Sequence, residues 1–311
     1  MITFLQAIVL GLVQGVTELF PISSLGHSVL IANLFGWNNL LKQETAKESG
    51  FLSFLVILHL ATAIALLIFY RQQWIRIIKG FFRSLRTKKV DGDNDAKLAW
   101  LLVTATIPAG LFGLIFEHVL RTQFAKPIFA IIFITINGII LLKGDKLVKK
   151  GQISRPRNRK QAATTGDNVD ELAIGKTSRM VSDHLSFGKA LVIGVVQIGA
   201  LFAGISRSGI TMIAGLRSGL DHEDAARFSF LLATPIILLA GLYKLHDFIG
   251  SNGAGIRGQV LAGGVVAGIS AYLTVRYLDK YFRTRSLRPF GMYCITIGVF
   301  MFLLGIYRGH F

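Results

Sequence analysis

ITFLQAIVLGLVQGVTELFPISSLGHSVLIANLFG, residues 2–36, is apolar at both ends and polar in the middle. ALVIGVVQIGALFAGISRSGITMIAGL, residues 190–216, has the same design. Glu18 and His27 interrupt the first stretch and Arg207 the second. Pro21 and Gly26 can break a helix in one, Gly204 and Gly209 in the other. The surroundings of these two stretches decide how they lie.

Outward from them the chain is built of long apolar blocks. Residues 52–70 and 98–116 carry no formal charge. At 1.5 Å per residue each covers roughly 28 Å, close to a hydrocarbon core of about 30 Å. Further spans are expected at 127–143, 228–244, 258–275 and 290–307. The chain of 311 residues is 52% hydrophobic and 16% charged, with mean hydropathy +0.56. Soluble domains are nearer a quarter charged, and a buried soluble helix is rarely apolar on every face. The fold class is therefore an all-α polytopic membrane protein.

A net charge of +17 suggests nucleic acid until its position is considered. Lys and Arg number 24 in 71–97, 143–189 and 276–288, against 6 in the alternate loops 37–51, 117–126 and 244–257. The positive-inside rule makes the basic loops cytoplasmic, where they can also touch anionic lipid. No nucleic-acid partner is expected. The sole cysteine, Cys294, lies inside a span, so neither a disulfide framework nor a Cys-based metal site is available. The N-terminus has no basic n-region and reads as retained.

This topology fixes the broken stretches. Residues 190–225 start and end on the cytoplasmic side, yet two full crossings need about 40 residues. A re-entrant hairpin fits, and 2–36 is its counterpart from the outer side. The chain then reads as a single membrane domain: a first repeat at 1–143, a basic, flexible cytoplasmic loop at 144–187, and a second, inverted repeat at 188–311. Both termini lie outside. In such folds broken helices meet near the midplane, where irregular backbone survives only if buried in protein or lining a wet cavity.

Ionisable residues at that depth cost at least about 2.5 kcal/mol and are functional candidates. Gln14 and Glu18, at i and i+4, share a helix face. Ser23, Ser24 and His27 follow Pro21, so the first hairpin offers a carboxylate, an amide, hydroxyls and an imidazole for metal binding, proton transfer or nucleophilic attack. The second offers Ser206, Arg207, Ser208, Gly209 and Thr211. Arginine is a planar fork matched to phosphate oxygens, and the following half-helix presents its positive end. An anion cradle beside an acid–base set is what phosphoryl transfer requires. His59, in an apolar span, reads as a packed, hydrogen-bonded histidine rather than a ligand. The Gly264–Gly268 spacing reads as helix packing, and Glu117, Asp221, Glu223 and Asp224 as solvated span ends.

At these residues the sequence resembles a known family. QGVTELFPISSLGH (14–27) is similar to the first signature of the bacterial undecaprenyl-diphosphatases, and AGISRSGITMIAGL (203–216) to the second. IPAGLFGLIFE (107–117) and FSFLLATPIILLAG (228–241) resemble family members as well. The resemblance implies removal of the terminal phosphate of undecaprenyl diphosphate, regenerating the lipid carrier for peptidoglycan synthesis, and resistance to bacitracin. It implies a multi-pass protein of the bacterial cell membrane whose site opens to the outer face, and a divalent metal, Mg or Ca. It makes Glu18 the carboxylate serving metal or water, with Gln14 beside it where many members have Glu. Ser24 and His27 become candidate nucleophile and acid–base group. Arg207 is the catalytic and diphosphate-holding cation, with Gln14, Ser23, Ser206, Ser208, Gly209 and Thr211 as further substrate contacts. Leu25 replaces a small hydroxyl residue of the family pattern and Ala203 a proline. Partners are the lipid substrate and the bilayer, with a homodimer allowed.

The residues themselves leave the nucleophile open among Ser24, His27 and metal-bound water. The rival function is a polyprenyl-phosphate flippase, which needs the cradle but not the Glu18–His27 set. The acid-phosphatase-like lipid phosphatases are excluded because their Lys-x6-Arg-Pro and Ser-Arg-x5-His-x3-Asp motifs are missing.

Overall fold

The structure, a computed structural model, describes residues 2–37, 40, 50–124, 126–152, 178–249 and 255–308. Among the described residues the regular structure is entirely helical. Helix α1 (Phe4–Thr17) begins at a capping box: the Thr3 hydroxyl accepts the Gln6 N–H, and the Gln6 side chain accepts the Thr3 N–H. Its 14 residues extend about 21 Å, too short to cross. The chain turns at Pro21 and returns as α2 (Ser24–Leu34), capped by Ser23. The second hairpin repeats this plan. Helix α8 (Phe187–Gln197) tightens into a 3-10 turn (Ile198–Leu201), and the chain returns as α9 (Arg207–Arg217), capped by Ser206. The hairpins align without a gap, pairing Gly11 with Gly194, Gln14 with Gln197, Ser23 with Ser206 and Gly26 with Gly209.

The six expected spans are helices: α3 (Gly50–Phe69), α5 (Asn94–Phe124), α6 (Pro127–Gln152), α10 (His222–Ile249), α11 (Arg257–Tyr281) and α12 (Arg288–Tyr307). Two stretches read as loop are helical instead. After α3 the chain bends by 86° into α4 (Arg71–Thr87). Helix α4 is amphipathic: Gln73, Ile77, Gly80 and Ser84 are buried, while Ile75, Ile78, Phe82 and Leu85 are exposed. That exposed apolar stripe beside five basic residues suits a helix lying in the membrane interface. Helix α6 runs nine residues beyond the expected end at 143, to Gln152. Helix α7 (Ser178–His184) precedes α8 at an angle of 97°. The remainder of the expected cytoplasmic loop, 153–177, lies outside the described residues.

The packing respects the inverted repeat. Helix α1 lies on α11 as α8 lies on α5, while α3 meets its counterpart α10 and α6 meets its counterpart α12. The paired glycines carry equivalent crossings. A Cβ on Gly11 would run into the Gly263 carbonyl of α11, and one on Gly194 into the Ala105 carbonyl of α5. The basic ends gather on one face. There Lys97 Nζ donates to the Ser182 carbonyl at 2.7 Å. Buried Asp145 accepts from the Leu287 N–H at 3.3 Å and lies 2.8 Å from His222 Nε2. On the opposite face Arg308, at the end of α12, donates to the Leu34 carbonyl at the end of α2 at 3.2 Å. Glu223 and Asp224 are not solvated as expected: Asp224 is buried, and Glu223 pairs with Arg227 at 3.2 Å. The side chain of Glu117 lies outside the described ones.

Candidate functional site

The two turns meet in the interior and are tied to each other. The Ser23 hydroxyl caps the Gly26 N–H at 3.3 Å and also accepts the Gly204 N–H of the other hairpin at 3.2 Å. Ser206 and Ser208 both donate to the Phe20 carbonyl, at 3.5 and 3.2 Å. Asn137, fully buried on α6, bridges the turns: its amide donates to the Pro21 carbonyl at 3.0 Å and its oxygen accepts the Ser206 N–H at 3.0 Å. Gly204 holds φ +115°, which a residue with a Cβ rarely adopts. Ser23 holds φ +75° without being glycine. Such a conformation costs on the order of 1–3 kcal/mol and persists where the surroundings over-determine it, as they do at functional turns.

Between the turns lies a polar cluster centred on Glu18. The Arg207 NH2 group donates to Glu18 Oε1 at 3.0 Å, joining the hairpins by an ion pair. Glu18 Oε2 accepts the Ser24 hydroxyl at 2.5 Å and the Gln14 amide at 3.1 Å. The side chains of Glu18 and Arg207 are 7% and 12% exposed, so the pair is shielded from water but not sealed. Arg207 NH1 reaches the Ser229 carbonyl at 3.4 Å, and its Nε, buried, has no partner among the described residues. A shielded carboxylate holding a hydroxyl proton, beside a guanidinium with a spare donor, can activate a nucleophile and grip an anion together.

Gln14, Glu18, Ser24 and Arg207 therefore converge as the sequence predicts, and other candidates stand elsewhere. His27 is turned away: Nδ1 lies 2.7 Å from the Ser23 carbonyl and Nε2 2.9 Å from the Tyr293 hydroxyl of α12. The hydroxyls of Ser23, Ser206 and Ser208 join the turns. Gly209 donates its N–H to Ser206 Oγ at 3.2 Å, and Thr211 Oγ1 contacts the Arg207 carbonyl of its own helix and Ser229 Oγ of α10, both at 2.7 Å. Two site residues lie outside the sequence-derived set. His59, read as a packed histidine, bonds through Nδ1 to the Leu55 carbonyl at 2.8 Å, yet its Nε2 stands 3.5 Å from Glu18 Oε2. Asn137 is the other; the signal was a lone amide in an apolar span, which requires partners inside the protein.

The donor set also bears on metal. Among the described residues no three His, Cys, Asp or Glu side chains converge. Glu18, with the Gln14 amide beside it, nevertheless fits a hard ion of the Mg²⁺ kind, which takes one or two carboxylates and completes its shell from phosphate oxygens and water.

The bridge by Asn137 predicts its own deletion phenotype. Asn137→Ala leaves the Ser206 N–H and the Pro21 carbonyl buried without partners, at about 1–3 kcal/mol each. Thermal denaturation is expected several degrees below wild type, with faster hydrogen exchange at residues 203–209. Unchanged exchange there would mean the turns hold without the bridge.

Comparison with known proteins places these residues in context. The sequence matches the family described as Bacitracin resistance protein BacA over residues 7–300. It is 48% identical to undecaprenyl-diphosphatase 2 of Frankia alni, over 96% of each chain. It is 47% identical to the undecaprenyl-diphosphatase of Mycolicibacterium paratuberculosis, over 96% of this chain and 95% of the relative. To undecaprenyl-diphosphatase 2 of Chromobacterium violaceum it is 41% identical, over 95% and 96%.

Proposed function

The chain belongs to the family of bacitracin resistance protein BacA, and from that premise we infer that it is an undecaprenyl-diphosphatase. It is a multi-pass protein of the bacterial membrane that hydrolyses undecaprenyl diphosphate to undecaprenyl phosphate and inorganic phosphate. The reaction recycles the lipid carrier of peptidoglycan synthesis, and the family name ties it to bacitracin resistance.

For the roles of individual residues, the observation that carries the proposal is the 2.5 Å bond from Ser24 to Glu18 beside Arg207. In this reading Ser24 Oγ attacks the terminal phosphorus while Glu18 takes its proton. The bond to the bridging oxygen breaks, Glu18 passes the proton to that oxygen as the lipid monophosphate leaves, and the phosphoryl group stays on Ser24. Glu18, ionised again, takes a proton from water as the water attacks the phosphorus; inorganic phosphate is released and the proton returns to Ser24 Oγ. Arg207 serves with its free Nε–H and the donors that Glu18 releases, gripping the phosphate oxygens as charge develops. The start of α2 at Ser24 adds the positive end of a helix. His27, bonded to Tyr293, orients the turn through the Ser23 carbonyl rather than reacting. Mg²⁺ or Ca²⁺ arriving with the diphosphate would be held at Glu18 beside Gln14 and would neutralise phosphate charge.

The test is hydrolysis of labelled undecaprenyl diphosphate by pure protein. Ser24→Ala is expected to lose at least about 10²-fold in turnover, typical of a removed acid–base or nucleophilic group. Rapid quench of wild type should trap phosphate on Ser24. Near-normal turnover by Ser24→Ala would pass the role of nucleophile to water.

The site is proposed to open to the outer face, with the basic face cytoplasmic. Support comes from the 24-to-6 distribution of Lys and Arg. In a Cys294→Ser background, a cysteine at Gly92 should resist an impermeant maleimide added to intact cells, and one at Gly36 should react. The reverse pattern would invert the molecule.

A further inference from the structure

At the elbow where α3 turns into α4, on the basic face, lies a cavity of about 380 Å³. Arg71, Arg227, Arg276, Lys280 and Arg283 line it with one carboxylate, Asp279. None of the residues around Glu18 lines it. Asp279 is fully engaged: it accepts from Arg227 at 2.8 and 3.1 Å, from Arg283 at 2.9 Å and from the Tyr70 hydroxyl at 3.3 Å. Glu223 adds a second acid to the same two arginines, at 3.2 and 3.7 Å. Those two acids offset Arg227 and Arg283. Arg276 and Lys280 have no acidic partner among the described residues, and Arg71 touches only the Ile68 carbonyl, at 3.4 Å. Three of the cationic side chains that line the cavity thus have no acidic partner among the described residues.

The cavity does not end in solvent alone. A groove of about 500 Å³ runs between α3 and α11, walled by Ile57, Ile64 and Ile68 on one side and Val265, Ile269 and Leu273 on the other. Tyr272 lines both spaces, so groove and cavity adjoin at that residue. The floor contains Gly264 and Gly268, which the sequence reading assigned to tight helix packing. Both glycines face α3, as packing glycines should: a Cβ on Gly264 would meet Ile57 at 3.7 Å and one on Gly268 the Ala61 carbonyl at 3.6 Å, ordinary contact distances. The tightest approach on α11 is made instead by Gly263, where a Cβ would lie 2.8 Å from Phe54. Without side chains of their own, Gly264 and Gly268 leave the floor of the groove open.

A basic chamber adjoining an apolar trough has the two-part chemistry that an anionic lipid matches. We propose that the α3–α4 elbow is a second lipid site, separate from the hydrolytic centre. It takes a lipid with a phosphomonoester headgroup among Arg71, Arg276 and Lys280, its hydrocarbon chain lying in the α3/α11 groove. Arginine forks and the lysine ammonium supply charge-assisted bonds to the phosphate oxygens. The groove supplies length-dependent contact with the tail.

Native mass spectrometry of the purified full chain in detergent, titrated with dioleoyl phosphatidate, tests this. Wild type should retain the lipid. Arg276→Ala/Lys280→Ala should weaken retention at least tenfold. Gly268→Leu, which removes no charge and fills the groove, should weaken it as well, and keeps the test open if the double variant fails to fold. Inorganic phosphate should compete poorly, and dioleoyl phosphatidylcholine should be retained weakly. Retention undiminished in both variants would mean the lipid sits elsewhere, at the hydrolytic site included, and would overturn the proposal. So would phosphatidylcholine held as well as phosphatidate. Inorganic phosphate binding as tightly as the lipid, with Gly268→Leu silent, would reduce the elbow to a site for soluble anions and also reject it.

Discussion

Arg207→Lys is expected to insert, fold and turn over at least about 10²-fold more slowly than wild type, the scale on which loss of a transition-state donor is felt. Lysine keeps the positive charge that faces Glu18 across the two hairpins, so the ion pair and the folded state should survive. What it loses is the fork. Arg207 holds Glu18 through NH2, touches Ser229 through NH1 and keeps a buried Nε–H unused. A single ammonium cannot hold Glu18 and two phosphate oxygens in one plane. Arg207→Ala should be inactive and also less stable, because it strands Glu18 as an unpaired buried carboxylate. The double variant Arg207→Ala/Glu18→Ala should then recover thermal stability relative to Arg207→Ala while remaining inactive. Phosphate release and a melting curve on the same four proteins separate the two roles. Wild-type turnover and KM in Arg207→Lys would remove the fork from the mechanism.

Glu18→Gln should be the other severe loss, about 10²- to 10⁴-fold in kcat, the usual contribution of a positioned acid–base group. The amide keeps the shape and can still meet Gln14. It cannot take the proton that Ser24 presents at 2.5 Å, and it leaves Arg207 without its carboxylate. Binding should suffer less than turnover, because Arg207 is then freer to hold the diphosphate. A loss confined to KM would make Glu18 a binding residue instead. His59→Gln is the useful companion, because His59 Nε2 faces the same carboxylate oxygen at 3.5 Å.

The hairpins were legible because their polar residues fall in the middle of stretches that must lie in lipid, where composition admits few structural explanations. The convergence of Gln14, Glu18, Ser24 and Arg207 followed from that placement and from the repeat. Helix α4 was not legible as structure: its basic residues read as a loop, and only its alternation of buried Ile77 and Gly80 with exposed Ile78 and Phe82 separates it from one. The direction in which His27 points was beyond reach for another reason. Its partner Tyr293 lies 266 residues away on α12, and nothing local distinguishes the rotamer that meets it. The hydroxyls of Ser206, Ser208 and Thr211 were read as ligands for an anion, whereas in the structure they bond to Phe20, to each other and to Ser229. Such hydroxyls satisfy backbone carbonyls as readily as substrates. His59 has the sequence setting of a packed histidine, and one ring nitrogen behaves as one by bonding to the Leu55 carbonyl; the other faces Glu18 across a distance in sequence that no local pattern reveals.

The crossing of α1 on α11 has a consequence for how the molecule is made. Gly11 and Gly15 seat against α11 with no room for a Cβ, yet α11 begins only at Arg257. Until the intervening chain is made, the first hairpin has neither that seat nor Arg207 to pair with Glu18. The first helix to be made is therefore among the last that can be seated, and under the proposed mechanism the site is complete only once the second half has been added.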